Sequence, residues 1–223
     1  MRHPTRCLLA VVVSVVASRA AAPSNMGFAW QLSIAPQGQN LSFVSLPFVY
    51  SPTTAELLCQ DLLVPGGSAT VAAVWRWDEP TSTFVKHTCG SGPNNFSLSE
   101  GTAYGIVNAS GQTIGGLIVG AHDDAFSFSI AATAGSNLTW VSIPYHHAIA
   151  DVAGTAGVVD AEDVCRSIGP SVKAVMRWDA GSSLYVTYAC GSALDPPFAI
   201  TMPSGYGLIN APGQTIAWQP PHY

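Results

Sequence analysis

The stretch VWRWDEPTSTFVKHTCG from Val74 returns as VMRWDAGSSLYVTYACG from Val175, and the likeness does not stop at its ends. NLSFVSLP from Asn40 is answered by NLTWVSIP from Asn137, AELLC ending at Cys59 by AEDVC ending at Cys165, and YGIVNASGQTI from Tyr104 by YGLINAPGQTI from Tyr206. The blocks keep their order, and their offset drifts only from 97 at the Asn pair to 102 at the Gly-Gln-Thr-Ile pair. Insertions therefore fall between blocks, where loops absorb them. A repeat of this length constrains the fold more than any local propensity, because whatever one copy builds the other must build too.

Within each copy, period-two runs dominate. FAWQLSI and NLSFVSLPFV read as short strands, TVAAVWRWD and STFVKHTC flank a turn at Pro80 as a hairpin, and NFSLSEGTAYGIVN and QTIGGLIVG supply the rest. Between them TTAELLCQDLL opens on a Thr able to cap a helix, with Glu56 in its first turn and Leu57, Leu58 and Leu62 at helical spacing. Its counterpart VVDAEDVCRSIG offers Asp160 as the cap and Gly169 as the stop.

Ahead of the repeat, MRHPTRCLLAVVVSVVASRAAA carries Arg2 and Arg6, an apolar run and small residues, the layout of a cleavable secretory signal. The run is about ten residues, half of what a membrane span needs. Cleavage after Ala20, with Ser18 three residues before the cut, competes with cleavage after Ala22, which would leave Pro23 beyond it. The expected fold class is thus α+β and β-dominated: two tandem homologous modules of about six mostly antiparallel strands plus one short helix each. The expected domains are a signal at 1–22, one module at 23–122 and its repeat at 123–223.

Without the signal, five cations face thirteen acidic residues, a net charge of −8. Nucleic acid is excluded as a partner, since phosphate binding needs a basic footprint. The mature chain has no stretch that could span a membrane. A secreted, extracellular or periplasmic chain follows; its partner is not identified by the sequence, and the candidates are an extracellular glycan or protein.

Four cysteines remain after Cys7 is removed, and four permit three pairings. Duplication favours Cys59 with Cys89 and Cys165 with Cys190, because a unit that once stood alone had to close its own bridge. The doubled triplets Arg76-Trp77-Asp78 and Arg177-Trp178-Asp179 read as scaffold. Strand alternation puts Trp77 on one face with Trp75, Ala73 and Val71, and Trp178 with Met176, Ala174 and Val172, so the indoles anchor a core. The aspartates stand where the strands turn. The tyrosines before Gly105 and Gly207 are expected to pack their rings and bond their hydroxyls to backbone, and Gly111 and Gly213 to take positive φ.

No nucleophile elbow, zinc-helix motif, phosphate loop or calcium loop occurs, so no cofactor and no catalytic residue is assigned. His122, Asp123, Asp124, His146 and His147 cluster near the module boundary and could meet at a metal or hydrolytic site. His87 is answered by Tyr188, which suits a structural filler. Trp30, Trp75, Trp140 and Trp218 lack Trp counterparts and are the candidates to face a ligand.

The ordered set Asn-Leu-x-[Phe/Trp]-Val-Ser-[Leu/Ile]-Pro, Ala-Glu-x-x-Cys, Arg-Trp-Asp, Cys-Gly-Ser, Tyr-Gly and Gly-Gln-Thr-Ile resembles tandem modules of uncharacterised secreted bacterial proteins. That resemblance covers nearly all of the mature chain and implies architecture and export, with no catalytic residue. Three functions stay in competition: a non-enzymatic exported protein with a surface or adhesion-like binding role, a carbohydrate-binding module pair, and a hydrolase or metalloenzyme using the boundary histidines.

Overall fold

The computed structural model describes residues 25–32, 40–47, 49–62, 71–109, 114–121, 123, 126–130, 137–143, 159–202, 204–213 and 215–219. The signal region, His122, Asp124, His146 and His147 lie outside the described residues, as does the turn at Gly111. The fold is β-dominated, and among the described residues every strand pair is antiparallel.

In the first half, β1 (Asn25–Leu32) pairs with β6 (Ile114–Ala121), and β2 (Leu41–Val44), β5 (Tyr104–Asn108), β3 (Val71–Asp78) and β4 (Thr83–Thr88) lie side by side in that order. In the second half, β7 (Phe128–Ile130) pairs with β12 (Ile216–Trp218), and β8 (Leu138–Ser142), β11 (Gly205–Asn210), β9 (Val172–Asp179) and β10 (Leu184–Ala189) follow the same order. Both hairpins turn the same way. Ser82 and Ser183, each just before the returning strand, hold φ of 53° and 56°.

The helices α1 (Ala55–Asp61) and α2 (Ala161–Ile168) start where capping side chains sit. Thr54 Oγ1 accepts from Leu57 N, and Asp160 and Asp163 form a reciprocal capping box. Gly169 ends α2 at φ 105°, a conformation that favours glycine. Each helix lies on one face of its sheet through Ala55, Leu58 and Cys59, or Ala161, Val164 and Cys165. Leu57 instead faces outward, 42% exposed, so the helical stripe is narrower than its leucines imply.

A second correction concerns the tryptophan face. The ladder between β3 and β5 shifts register between Val71 and Ala73, and the β11–β9 ladder shifts at the matching place. The extra residue turns Val71 and Val172 toward the helix side, where they pack with Val74 and Val175, and leaves Trp75 and Trp77 on the other face.

That other face meets the second half. Leu41, Phe43, Ala103 and Trp140 form a buried cluster, with Trp75, Trp77, Phe84, Leu138 and Trp178 packed against it. Trp140 stacks on Phe43 at 4.0 Å, one ring from each half. Bridges Val44↔Ser204 and Thr102↔Val141 join the two sheets at equivalent places. At the centre the halves nearly touch: a Cβ on Gly205 would lie 2.4 Å from the Cβ of its counterpart Ala103. One of the two positions must therefore be glycine. The Ser of each Val-Ser-[Leu/Ile]-Pro block is fully buried in this seam, Ser45 Oγ donating to Ser204 O (2.6 Å) and Ser142 Oγ to Leu46 O (2.7 Å).

Candidate functional site

The seam explains the doubled triplet. Trp77 Nε1 donates to Leu138 O (2.9 Å), and Trp178 Nε1 donates to Leu41 O (2.7 Å). Leu41 and Leu138 are themselves counterparts, so each indole reaches across to the equivalent carbonyl of the other half. Each also meets a ring of its own hairpin edge-on, Phe84 at 4.8 Å and Tyr185 at 4.9 Å.

Beside each indole the chain leaves a cleft. The larger, about 510 Å³, is lined by Arg76, Trp77, Asp78 and Glu79 from one half and Thr139 and Trp140 from the other. The smaller, about 280 Å³, is lined by Arg177, Trp178, Asp179 and Ala180 with Ser42 and Phe43. The hairpin residues and the facing pair correspond with the halves exchanged, while Phe126 to Ser129 wall only the larger cleft.

The guanidinium in each cleft is held by a stack of rings. Arg76 Cζ lies 4.9 Å over Phe96 and Arg177 Cζ 5.1 Å over Phe198. Phe96 stacks on Tyr104 and Phe198 on Tyr206. The tyrosine hydroxyls accept from Ser99 N and Thr201 N, both at 2.6 Å, which fixes the bottom of each stack.

The aspartates tie the hairpin turns. Asp78 accepts from Thr81 Oγ1 (2.5 Å) and Asp179 from Ser182 Oγ (2.6 Å); that hydroxyl, with the Gly181 and Ser182 amides, holds the Asp179 carboxyl below its ordinary value. Arg76 Nη2 is 3.9 Å from Asp78. Burial pushes the Glu79 carboxyl up, with Asp78 adding to the effect and a hydrogen bond from Thr139 opposing it.

A second cluster lies by each disulfide. Glu56 Oε2 accepts from Gly90 N (2.9 Å) and is hydrogen-bonded to His87 Nε2 (2.8 Å), while His87 Nδ1 lies 3.1 Å from Pro93 O. In the other half Glu162 Oε2 accepts from Tyr188 Oη (3.1 Å) and Gly191 N (2.8 Å). Ligand atoms of Glu56, Cys59 and His87 fall within 4.8 Å of one another, but the Cys59 sulfur is bonded to Cys89. The repeated arrangement is a strut between helix and hairpin.

The His87 bond first, and the Gly90 amide after it, hold the Glu56 carboxyl below its ordinary value. Its folded pKa is thus lower than its unfolded one, so the strut contributes stability above the ordinary carboxylate range and loses it as pH falls through the folded value. Glu56→Ala is expected to cost about 2 kcal/mol, because it leaves Nε2 of the buried His87 ring and the Gly90 amide without their shared partner. Urea unfolding at neutral and acid pH should show the difference between variant and parent shrinking in acid.

The unmatched tryptophans are placed otherwise than their lack of partners suggested. Trp140 is 2% exposed, stacked at the seam, and Trp218 is 4% exposed, stacked on Phe128 with Nε1 donating to Ser167 Oγ. Neither stands on the free surface as a ligand platform; a large ring at the junction of two sheets is worth more buried. Trp75 is half-buried, and Trp30 lies on β1 opposite Gly116. The described boundary residue, Asp123, lies outside both clefts. Sequence reasoning passed over Glu79, Thr139, Phe96 and Phe198. The last two were open to it, since a Phe recurs at the same offset in both copies. No known protein family, curated protein or solved structure matches the chain.

Proposed function

We propose that the protein is an exported, non-enzymatic binding protein made of two duplicated modules, residues 23–122 and 123–223, with an extracellular glycan as its ligand and the two seam clefts as its binding sites. The observation that carries this reading is the exchanged correspondence of the clefts. Each combines a ring-stacked guanidinium, a carboxylate, a Ser or Thr hydroxyl and aromatic rings. Planar, doubly bonding groups suit vicinal sugar hydroxyls, and aromatic rings suit the C–H faces of a pyranose. A duplicated pair of sites also suits a repeating polymer, where the second contact is intramolecular.

Export is supported by the Arg-led apolar segment at the start of the chain and by two disulfides, Cys59–Cys89 and Cys165–Cys190, which suit an oxidising compartment. Among the described residues no helix is long and apolar enough to cross a membrane.

The test is titration of the purified chain against a panel of soluble extracellular polysaccharides and their oligomers, followed by intrinsic tryptophan fluorescence and calorimetry. Arg76→Ala and Arg177→Ala should each weaken binding about tenfold or more, the loss of one charge-assisted hydrogen bond, while the lost ring contact lowers the melting temperature by only a few degrees. Absence of binding across the panel, or binding that survives both substitutions, would overturn the reading.

A further inference from the structure

The two clefts share a frame and differ in charge. Glu79 of the larger cleft is replaced by Ala180 in the smaller, and Glu100 is answered in the sequence by Met202, which does not line the smaller cleft. The larger cleft holds Arg76 against Asp78, Glu79 and Glu100, whereas the smaller sets Arg177 against Asp179 alone. Arg76 is already near Asp78, and among the described residues no cation lies within 4.0 Å of Glu79 or Glu100. Glu79 is half-buried, so its charge is only partly met by water.

Two further features of the same cavity point to a ligand. Its wall carries the partly exposed rings of Trp77 and Phe126, and aromatic faces attract ammonium groups. The Trp140 indole N–H is buried and has no hydrogen-bond partner, a donor that calls for an oxygen acceptor. A cation to answer the glutamates, an apolar body to lie on the rings and an oxygen for the indole together describe an amine borne on a hydroxylated ring. The smaller cleft offers the opposite need: Arg177 Nε is buried without a partner, and no glutamate opposes it.

We propose that the larger cleft recognises a protonated amino sugar, a glucosamine-type unit, with Glu79 and Glu100 as its counter-charges, and that the smaller cleft takes neutral or anionic sugar oxygens instead. This deepens the glycan-binding reading and rests on it.

The experiment is calorimetric titration of the full chain with three trimers of matched linkage: glucosamine, N-acetylglucosamine and glucose. The glucosamine trimer should bind at least tenfold more tightly than the other two. Glu79→Gln and Glu100→Gln should each reduce that preference severalfold, and together abolish it. Glu79→Gln keeps an acceptor for Thr139, and unfolding temperatures would verify that the fold is intact. Asp195→Asn, which removes an acidic group outside both clefts, should leave the preference unchanged; an equal drop there would mean that overall acidity does the selecting and would overturn the proposal. Equal affinity for all three trimers would overturn amine selection while leaving glycan binding standing. Binding of none of the three, with binding elsewhere in the polysaccharide panel, would overturn amine selection alone; binding to neither trimers nor panel would overturn both.

Discussion

Trp77→Ala and Trp178→Ala should each lower the free energy of unfolding by about 3 kcal/mol, read from denaturant midpoints at constant slope. Two losses combine in each variant. The indole leaves a void between its own hairpin ring and the facing strand, and the carbonyl of Leu138 or Leu41 loses its donor inside the seam. Trp→Phe separates them, keeping most of the apolar area and forfeiting the N–H, for about 1 kcal/mol. Because both clasps close one seam, the double alanine variant should depart from additivity, the second substitution costing less once the halves have parted. A chain with ordinary stability of about 5–15 kcal/mol would then stand near its threshold at room temperature. A ligand-only role makes a different forecast: binding would fall while the midpoints stayed within about 0.5 kcal/mol of the parent. Unmoved midpoints in both single variants would remove the seam clasp from the account.

Much of the strand order could be read from the repeat, because each block is a local unit whose signals are local. The Thr54 and Asp160 caps, the Gly169 stop, the hairpins after Asp78 and Asp179, and the tyrosine hydroxyls bonded to backbone all depend on residues within a few positions of one another. Gly213 takes φ of 83°, as its place after Pro212 implies. The bulge at Val71 could not be read in this way. Period-two alternation assigns Val71 to the tryptophan face, and only pairing with a strand over thirty residues later shifts it.

The seam was hidden for a related reason. Nothing in NLSFVSLP says that its edge will meet the other copy rather than water, since the alternation is the same in either case. The unmatched tryptophans misled because identity was compared where bulk was conserved between copies: Trp140 answers Phe43, and Trp75 answers Met176, large apolar groups at equivalent places. A ring exchanged for another ring marks a packing site. The cleft residues fall between these cases. Their types were visible as Arg-Trp-Asp, but which strand would face them was not, so Thr139 and Ser42 stood unrecognised as the hydroxyls opposite.

Reducing both disulfides should destabilise the protein more than any single substitution, by about 3.5 kcal/mol per bridge in the loop-entropy account. The estimate follows from loops of 30 residues between Cys59 and Cys89 and 25 between Cys165 and Cys190. For a chain of this size each loss corresponds to a fall in melting temperature of about 10 °C. Every bridge ties a helix to the end of a hairpin within its own half, and neither crosses the seam. Cys59→Ala/Cys89→Ala should therefore loosen α1 from β4 and leave α2 fixed, which hydrogen exchange would resolve helix by helix. Glu56 spans the same gap as the first bridge, reaching Gly90 beside Cys89. With the covalent tie gone, Glu56→Ala should cost more than it does in the oxidised protein, a coupling measurable as a double-mutant cycle. Peptide mapping that linked a cysteine of one half to a cysteine of the other, or melting unchanged by reduction, would contradict a design in which each half closes its own loop.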